Sequence, residues 1–196
     1  MTTEFVLIRH GQTNWNIDHR YQGVSQTPLN ETGLLQAAAL AGDMEGDRWD
    51  VLASSPLARA WDTALPVAAA IDYPFDEIIP DERLIERYYG VAEGLTLEER
   101  EAQYPGDVWE GLEPREDLNV RSMSAMEDYL ARFSGQRIAL VTHGTWITSV
   151  LQVITMGEQG YGKVMIANCS RTYLTHDEEG WRVGAISVLP EGIAAT

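Results

Sequence analysis

Leu7-Ile8-Arg9-His10-Gly11-Gln12-Thr13 is the stretch on which the reading of this chain turns. Val6, Leu7 and Ile8 form an apolar run that predicts a buried strand, and Gly11 ends it. An arginine and a histidine stand where that strand runs out into a loop. In open α/β sheets, ligands bind outside the carboxyl ends of the strands. A guanidinium there suits a phosphate or a carboxylate. An imidazole beside it can act as base, acid or nucleophile. On residue types alone, surface decoration at a strand end is the commoner reading of such a pair. Three further segments shift the balance.

Strand-like runs recur at Glu4–Arg9, Val51–Ser54, Ile138–Thr142, Arg171–His176 and Trp181–Ser187, with a weaker one at Glu77–Ile79. Helical patterns lie between them. Asn30 offers an N-cap ahead of the Ala- and Leu-rich run Leu34–Met44. Ser55-Pro56 is expected to open a second helix, with Pro in its favoured first turn, and Pro66 is expected to kink or interrupt that helix. Thr96–Tyr104, Asp117–Phe133 and Thr145–Met156 are the remaining helices, the second of them the clearest amphipathic pattern. Strands alternating with helices predict an α/β fold. Its form is a three-layer α/β/α sandwich around a mostly parallel sheet. The short turn Asp177-Glu178-Glu179-Gly180 signals a closing hairpin, hence one antiparallel strand.

The 196 residues suit a single domain spanning 1–196, with a full hydrophobic core. No apolar run is long enough to span a bilayer. The N-terminus leads straight into a strand with no basic region, so no signal peptide is expected. Cys169 is the only cysteine, which excludes an internal disulfide and reads as a buried small side chain. These features point to the cytoplasm. The net charge is −16, and Lys163 is the sole lysine among 14 basic residues. Such a field repels nucleic acid and anionic membranes, so neither is an expected partner. It also repels a phosphorylated substrate at long range. A phosphate site here must therefore be a local island of arginine and backbone N–H groups.

Four segments place polar groups at strand ends or in loops. Arg9-His10-Gly11 is followed by Asn16 and Tyr21-Gln22-Gly23. Ser54-Ser55-Pro56-Leu57-Ala58-Arg59-Ala60 sets Arg59 near the positive end of a helix. Leu84-Ile85-Glu86-Arg87-Tyr88-Tyr89-Gly90 is a loop with one carboxylate. Val141-Thr142-His143-Gly144 is a second strand running directly into His-Gly. If the two His-Gly strands are neighbours, His10 and His143 meet at the carboxyl edge of the sheet, with Arg9 and Arg59 as donors to a phosphoryl group. Two histidines and a glutamate also resemble a zinc set. Arginines beside the histidines disfavour a cation, however, and no compact His-x-x-x-His or Cys-x-x-Cys spacing is present. His19 and His176 lack such company and read as a loop residue and a strand-surface residue. No Walker-type or G-x-G-x-x-G loop occurs.

Taken together, these motifs resemble the histidine phosphatase superfamily, the family of cofactor-dependent phosphoglycerate mutases, from about Phe5 to the final hairpin. Arg9-His10-Gly11-Gln12-Thr13 with Trp15-Asn16 is similar to its signature. Ser54 to Ala60 with Thr63-Ala64 is similar to its second block, Leu84-Ile85-Glu86-Arg87 with Tyr89-Gly90 to its acid-bearing loop, and Thr142-His143-Gly144 to its second histidine. The resemblance implies a phosphoglycerate mutase-like fold and a set of roles. His10 attacks phosphorus and becomes phosphohistidine. Arg9, Arg59, His143 and nearby backbone N–H groups hold the phosphoryl oxygens. Glu86 protonates the leaving oxygen and then takes a proton from the incoming water or alcohol. Asn16, Gln22, Gly23 and Gly144 border the substrate, and Arg87 and Tyr89 match residues that hold a substrate carboxylate. Adjacent guanidiniums favour a neutral, nucleophilic His10. Phosphoryl transfer relies on positioning and charge stabilisation, so no metal is expected.

The resemblance covers both hydrolases and isomerases. A mutase must hold a second anionic group. Where the mutases carry a lysine after the Gly-Leu of the acid-bearing loop, this chain has Leu97. Where they carry paired arginines after a tryptophan, it has Glu110 and Gly111 after Trp109. Trp109, Tyr88 and Tyr21 are candidate apolar walls, or core. The expectation is a phosphatase for a small phosphomonoester such as a sugar phosphate or phosphoglycerate derivative. The alternative is a phosphoglycerate mutase, and only then would 2,3-bisphosphoglycerate be a cofactor. A non-catalytic phosphate-binding module is the remote third reading. A homodimer is possible.

Overall fold

The computed structural model describes residues 1–194. Strand β1 (Thr3–Arg9) leads through a short helix α1 (Asn14–Ile17) into α2 (Glu31–Met44). Then come β2 (Val51–Ser54), α3 (Ala58–Ala70) and β3 (Ile79–Pro80). Helices α4 (Leu97–Gln103) and α5 (Arg115–Arg132) precede β4 (Arg137–Thr142) and α6 (Gly144–Ile154). The chain closes with β5 (Arg171–Asp177) and β6 (Gly180–Val183).

The sheet order is β3-β2-β4-β1-β5-β6. The β1, β2, β3 and β4 neighbours pair in parallel. Strand β5 alone runs against the others, pairing antiparallel with β1 and with β6. The period-2 alternation of strand side chains divides the apolar residues between two layers. Val6, Ile8, Leu52, Ala139 and Val141 pack against α2 and α3 through Leu40, Met44, Ala64 and Val67. Phe5, Leu7, Val51, Ile138 and Leu140 pack against α5 and α6 through Leu118, Met126, Trp146 and Val150. Both faces of the sheet are covered, giving the three-layer sandwich.

This layering positions the site. After β1 the chain leaves toward the α2/α3 face, and after β4 it leaves toward the α5/α6 face. The two strands are neighbours in register, Arg9 opposite Thr142. A crevice therefore opens at their carboxyl ends, where the connections part to opposite faces.

Four sequence expectations are corrected. Pro66 does not interrupt α3, which runs through it to Ala70. Its ring removes one backbone donor, while Thr63, Ala64, Val67 and Ala68 around it are buried, and their packing holds the helix together. Pro56 lies ahead of α3, whose cap is Leu57 in an extended conformation. Strand β6 ends at Val183, short of Ser187. The segment beyond it returns to β5 through the Arg171–Val188 bridge. The weak strand near Glu77–Ile79 is displaced to Ile79–Pro80, because Phe75–Glu77 forms a 3-10 turn.

Candidate active site

The loop after β1 is shaped by two glycines. A Cβ on Gly11 would lie 2.6 Å from Gly33 O, and one on Gly33 would lie 2.1 Å from Gln12 O. Only the absence of both side chains lets the N-terminus of α2 touch this loop. Backbone donors are taken up locally. Gly11 N donates to Thr63 Oγ1 at 3.0 Å and Gln12 N to Gln36 Oε1 at 2.9 Å. Thr13 and Asn16 form a reciprocal cap on α1.

His10 is buried at the centre of this frame. Its Nδ1 lies 2.7 Å from Gly11 O, a carbonyl that can only accept, so Nδ1 carries the proton. Nε2 is thereby left with its lone pair, and Arg59 Nε donates to it at 3.3 Å. Burial, followed by Arg59 and Arg9, holds the His10 pKa well below the usual histidine value. The ring is neutral at physiological pH.

His143 follows β4 as His10 follows β1. The two ring centroids are 5.2 Å apart. His143 Nε2 sits 2.8 Å from Ser55 Oγ, and its pKa is also held low, first by burial and then by Arg59. Its Nδ1 is buried without a hydrogen-bond partner, and so is Arg9 Nε. Arg9 packs against Gly144, where a Cβ would approach Nε to 3.4 Å. Two unpaired buried nitrogens beside a neutral imidazole are suited to an oxyanion.

Arg59 is fully buried and directed by backbone carbonyls. Its terminal nitrogens donate to Gly23 O at 2.7 Å and Ser25 O at 2.9 Å. Burial lowers its pKa to about 10, which leaves it charged at neutral pH. The carboxylate of Glu86 accepts from Arg87 N at 2.8 Å and from Thr145 N at 3.1 Å, at the start of α6. Thr142 Oγ1 donates to Leu84 O at 2.6 Å and ties the acid-bearing loop to the end of β4.

These groups open onto one cleft of about 720 Å³. Arg9, His10, Arg59 and Glu86 line it, together with Asn16, Gln22, Gly23 and Tyr89. His143 and Gly144 stand behind this lining. Arg87 does not line the cleft. Its Nε donates to Glu113 O at 2.8 Å and its guanidinium lies 5.6 Å from the Tyr89 ring centre. Tyr89 turns its hydroxyl to Thr145 Oγ1 at 2.9 Å. Tyr21 is a wall of the cleft, Trp109 packs behind it at 6.1 Å between ring centres, and Tyr88 is surface.

Several supporting residues escaped sequence reasoning. Asn168 Nδ2 donates to His10 O at 2.9 Å. Arg121 donates to the carbonyls of Arg83, Ile85 and Glu86 and pairs with Glu113 at 2.8 Å. An arginine among the apolar positions of α5 was the available signal. His19 was read as a plain loop residue, yet it stands at the cleft's rim with Trp15 and Ile17. Among the described residues, no three His, Cys, Asp or Glu side chains gather where they could hold a metal ion.

The chain matches the histidine phosphatase superfamily (branch 1) over residues 5–188. It belongs to that superfamily. An uncharacterised phosphatase, PhoE, of Bacillus subtilis is 32% identical over 92% of this chain and 92% of its own length. A metal-independent phosphoserine phosphatase of Arabidopsis thaliana is 34% identical over 88% of this chain and 76% of its own. A mycobacterial glucosyl-3-phosphoglycerate phosphatase, solved with VO3, superimposes with a TM-score of 0.83 at 27% identity, covering 94% of this chain and 99% of that one. Phosphoglycerate mutases match this histidine phosphatase chain as well.

Proposed function

We propose that this protein is a metal-independent phosphatase that hydrolyses a small phosphomonoester through a phosphohistidine on His10. The reading is carried by the His10 Nε2 lone pair. Gly11 O keeps the proton on Nδ1, burial with Arg59 and Arg9 keeps the ring neutral, and Arg59 Nε lies 3.3 Å from that lone pair. In the first step Nε2 bonds to phosphorus and the phosphorus–oxygen ester bond breaks. The Glu86 carboxyl gives its proton to the departing oxygen, releasing the alcohol. In the second step water attacks phosphorus, Glu86 takes its proton, and the nitrogen–phosphorus bond returns its electrons to Nε2. Arg9, Arg59 and the unpaired Nδ1 of His143 donate to the phosphoryl oxygens throughout. Preorganised donors of this kind supply most of the stabilisation that phosphoryl transfer needs.

The outer cleft favours water as the acceptor. Its rim carries Trp15, Ile17, Leu97 and Met165. Arg20, the arginine at that rim, is committed to Glu99 at 2.9 Å and to Gly94 O at 2.7 Å. A second phosphate or a carboxylate finds no uncommitted arginine there, so a bisphosphorylated intermediate would be held poorly. The phosphoserine and glucosyl-3-phosphoglycerate phosphatases among the relatives support a small phosphoester as substrate. The test is incubation with phosphomonoesters and, separately, with 3-phosphoglycerate plus catalytic 2,3-bisphosphoglycerate. Phosphate release is expected. Rapid isomerisation without comparable release would establish the mutase instead. His10→Ala should abolish an acid-labile, base-stable phosphoenzyme.

A further inference from the structure

Glu93 lies outside the groups just described, yet its carboxylate joins two of the loops that carry them. Oε1 accepts from Val24 N at 3.1 Å and from Tyr89 N at 3.3 Å. Oε2 accepts from Ser25 N at 3.0 Å and from Ser25 Oγ at 2.6 Å. The Gly23–Ser25 turn held in this way is the one whose carbonyls receive the Arg59 guanidinium. Tyr89 belongs to the loop that bears Glu86. Gly23 makes room for this contact: its φ is +51°, and a Cβ there would lie 1.9 Å from Glu93 Oε1.

We propose that Glu93 is a positioning residue, which fixes Arg59 against His10 Nε2 and holds the acid-bearing loop in the same frame. All four groups facing the carboxylate are donors. A carboxylate can accept them all, whereas a glutamine amide would turn an NH2 toward N–H or O–H. The anionic form is therefore required, and the neutral isostere disturbs the strap without changing its length. Arg59 depends on that strap because Gly23 O and Ser25 O set the plane of its guanidinium. A shift of the turn moves the donors away from the transferring phosphoryl group, and small misplacements of such donors are costly.

The inference rests on the phosphatase reading for its rate effect, and on phosphate-site geometry alone for its binding effect. The test compares wild type with Glu93→Gln, Gly23→Ala and their combination. The readouts are kcat with 4-nitrophenyl phosphate, calorimetric affinity for orthovanadate, and Tm. Each single variant is expected to lose about tenfold to a hundredfold in kcat and a similar factor in vanadate affinity. The double variant should be no worse than the poorer single, since Gly23→Ala already displaces Glu93. Ser25→Ala removes one of the four bonds and should show a smaller loss, which keeps the idea testable if a larger change fails to fold. Wild-type kcat and vanadate affinity in Glu93→Gln, with only Tm lowered, would overturn the positioning role. A wild type that hydrolyses nothing, yet loses vanadate affinity on Glu93→Gln, would sink the phosphatase reading and leave the strap standing.

Discussion

His10 and His143 are buried as neutral rings, and both have their pKa pushed down, chiefly by burial. That shift has a consequence for stability. In the unfolded chain each histidine takes up a proton near pH 6.5. In the folded chain each resists protonation to a lower pH. Below about pH 6.5 the unfolded state therefore binds more protons, and stability falls as the pH falls. Each histidine contributes a slope of up to about 1.4 kcal/mol per pH unit, and the loss ends when the folded-state value is reached. Above neutrality the two rings add no pH dependence. Urea unfolding at a series of pH values should thus show the midpoint falling from just below neutrality, with a shallower fall in His10→Gln. A midpoint independent of pH between 7 and 5 would contradict this account of the site's burial.

At the scale of elements, α2 meets the His10 loop through Gly11 and Gly33 with no side chain between them. Gly33→Ala would drive a Cβ into Gln12 O, a backbone atom that cannot rotate aside. It is expected to cost about 1–3 kcal/mol and to slow phosphoenzyme formation, read by urea unfolding and by single-turnover kinetics. Gly42 in the same helix has nothing within 4 Å of its would-be Cβ. There, alanine should stabilise by about 0.5–1 kcal/mol and leave turnover unchanged. The contrast separates helix propensity from close approach. The sequence made the helices and central strands legible, since apolar runs and caps are local signals. Asn30 before Gly33 marks the start of α2, and the bond from Gly33 N to Asn30 Oδ1 is there at 2.8 Å. The strand ends before His10 and His143 were legible for the same reason. The residues that brace them were not. Asn168 reaches His10 from the far end of the chain, and Glu93 acts on a turn that its own sequence neighbours do not announce. Helix α1 is one turn long, too short for any periodic pattern, and is fixed by its Thr13–Asn16 cap. Pro66 does not end α3, because the buried helix face around it outweighs the lost backbone donor.

For the whole molecule, the decisive quantity is a net charge of −16 around a site built to receive a phosphate dianion. Two fields of opposite sign act on the substrate. Arg9 and Arg59 attract it at contact, inside a cleft where salt screens weakly. The thirty acidic residues, spread over the chain, repel it across solvent. The Debye length is about 10 Å at 0.1 M salt and about 30 Å at 0.01 M, so added salt removes the distant repulsion first. For most steered enzymes salt slows capture. Here the sign reverses: sodium chloride raised from about 10 mM to about 150 mM should lower KM and raise kcat/KM severalfold. Because the contacts formed at the reacting phosphoryl group are buried, kcat should hold steady. The measurement is a salt series with 4-nitrophenyl phosphate at fixed pH, using chloride and not sulfate, since sulfate would compete for the arginines. A KM that climbs with chloride would mean that the arginine island, and not the acidic surface, governs the approach of substrate.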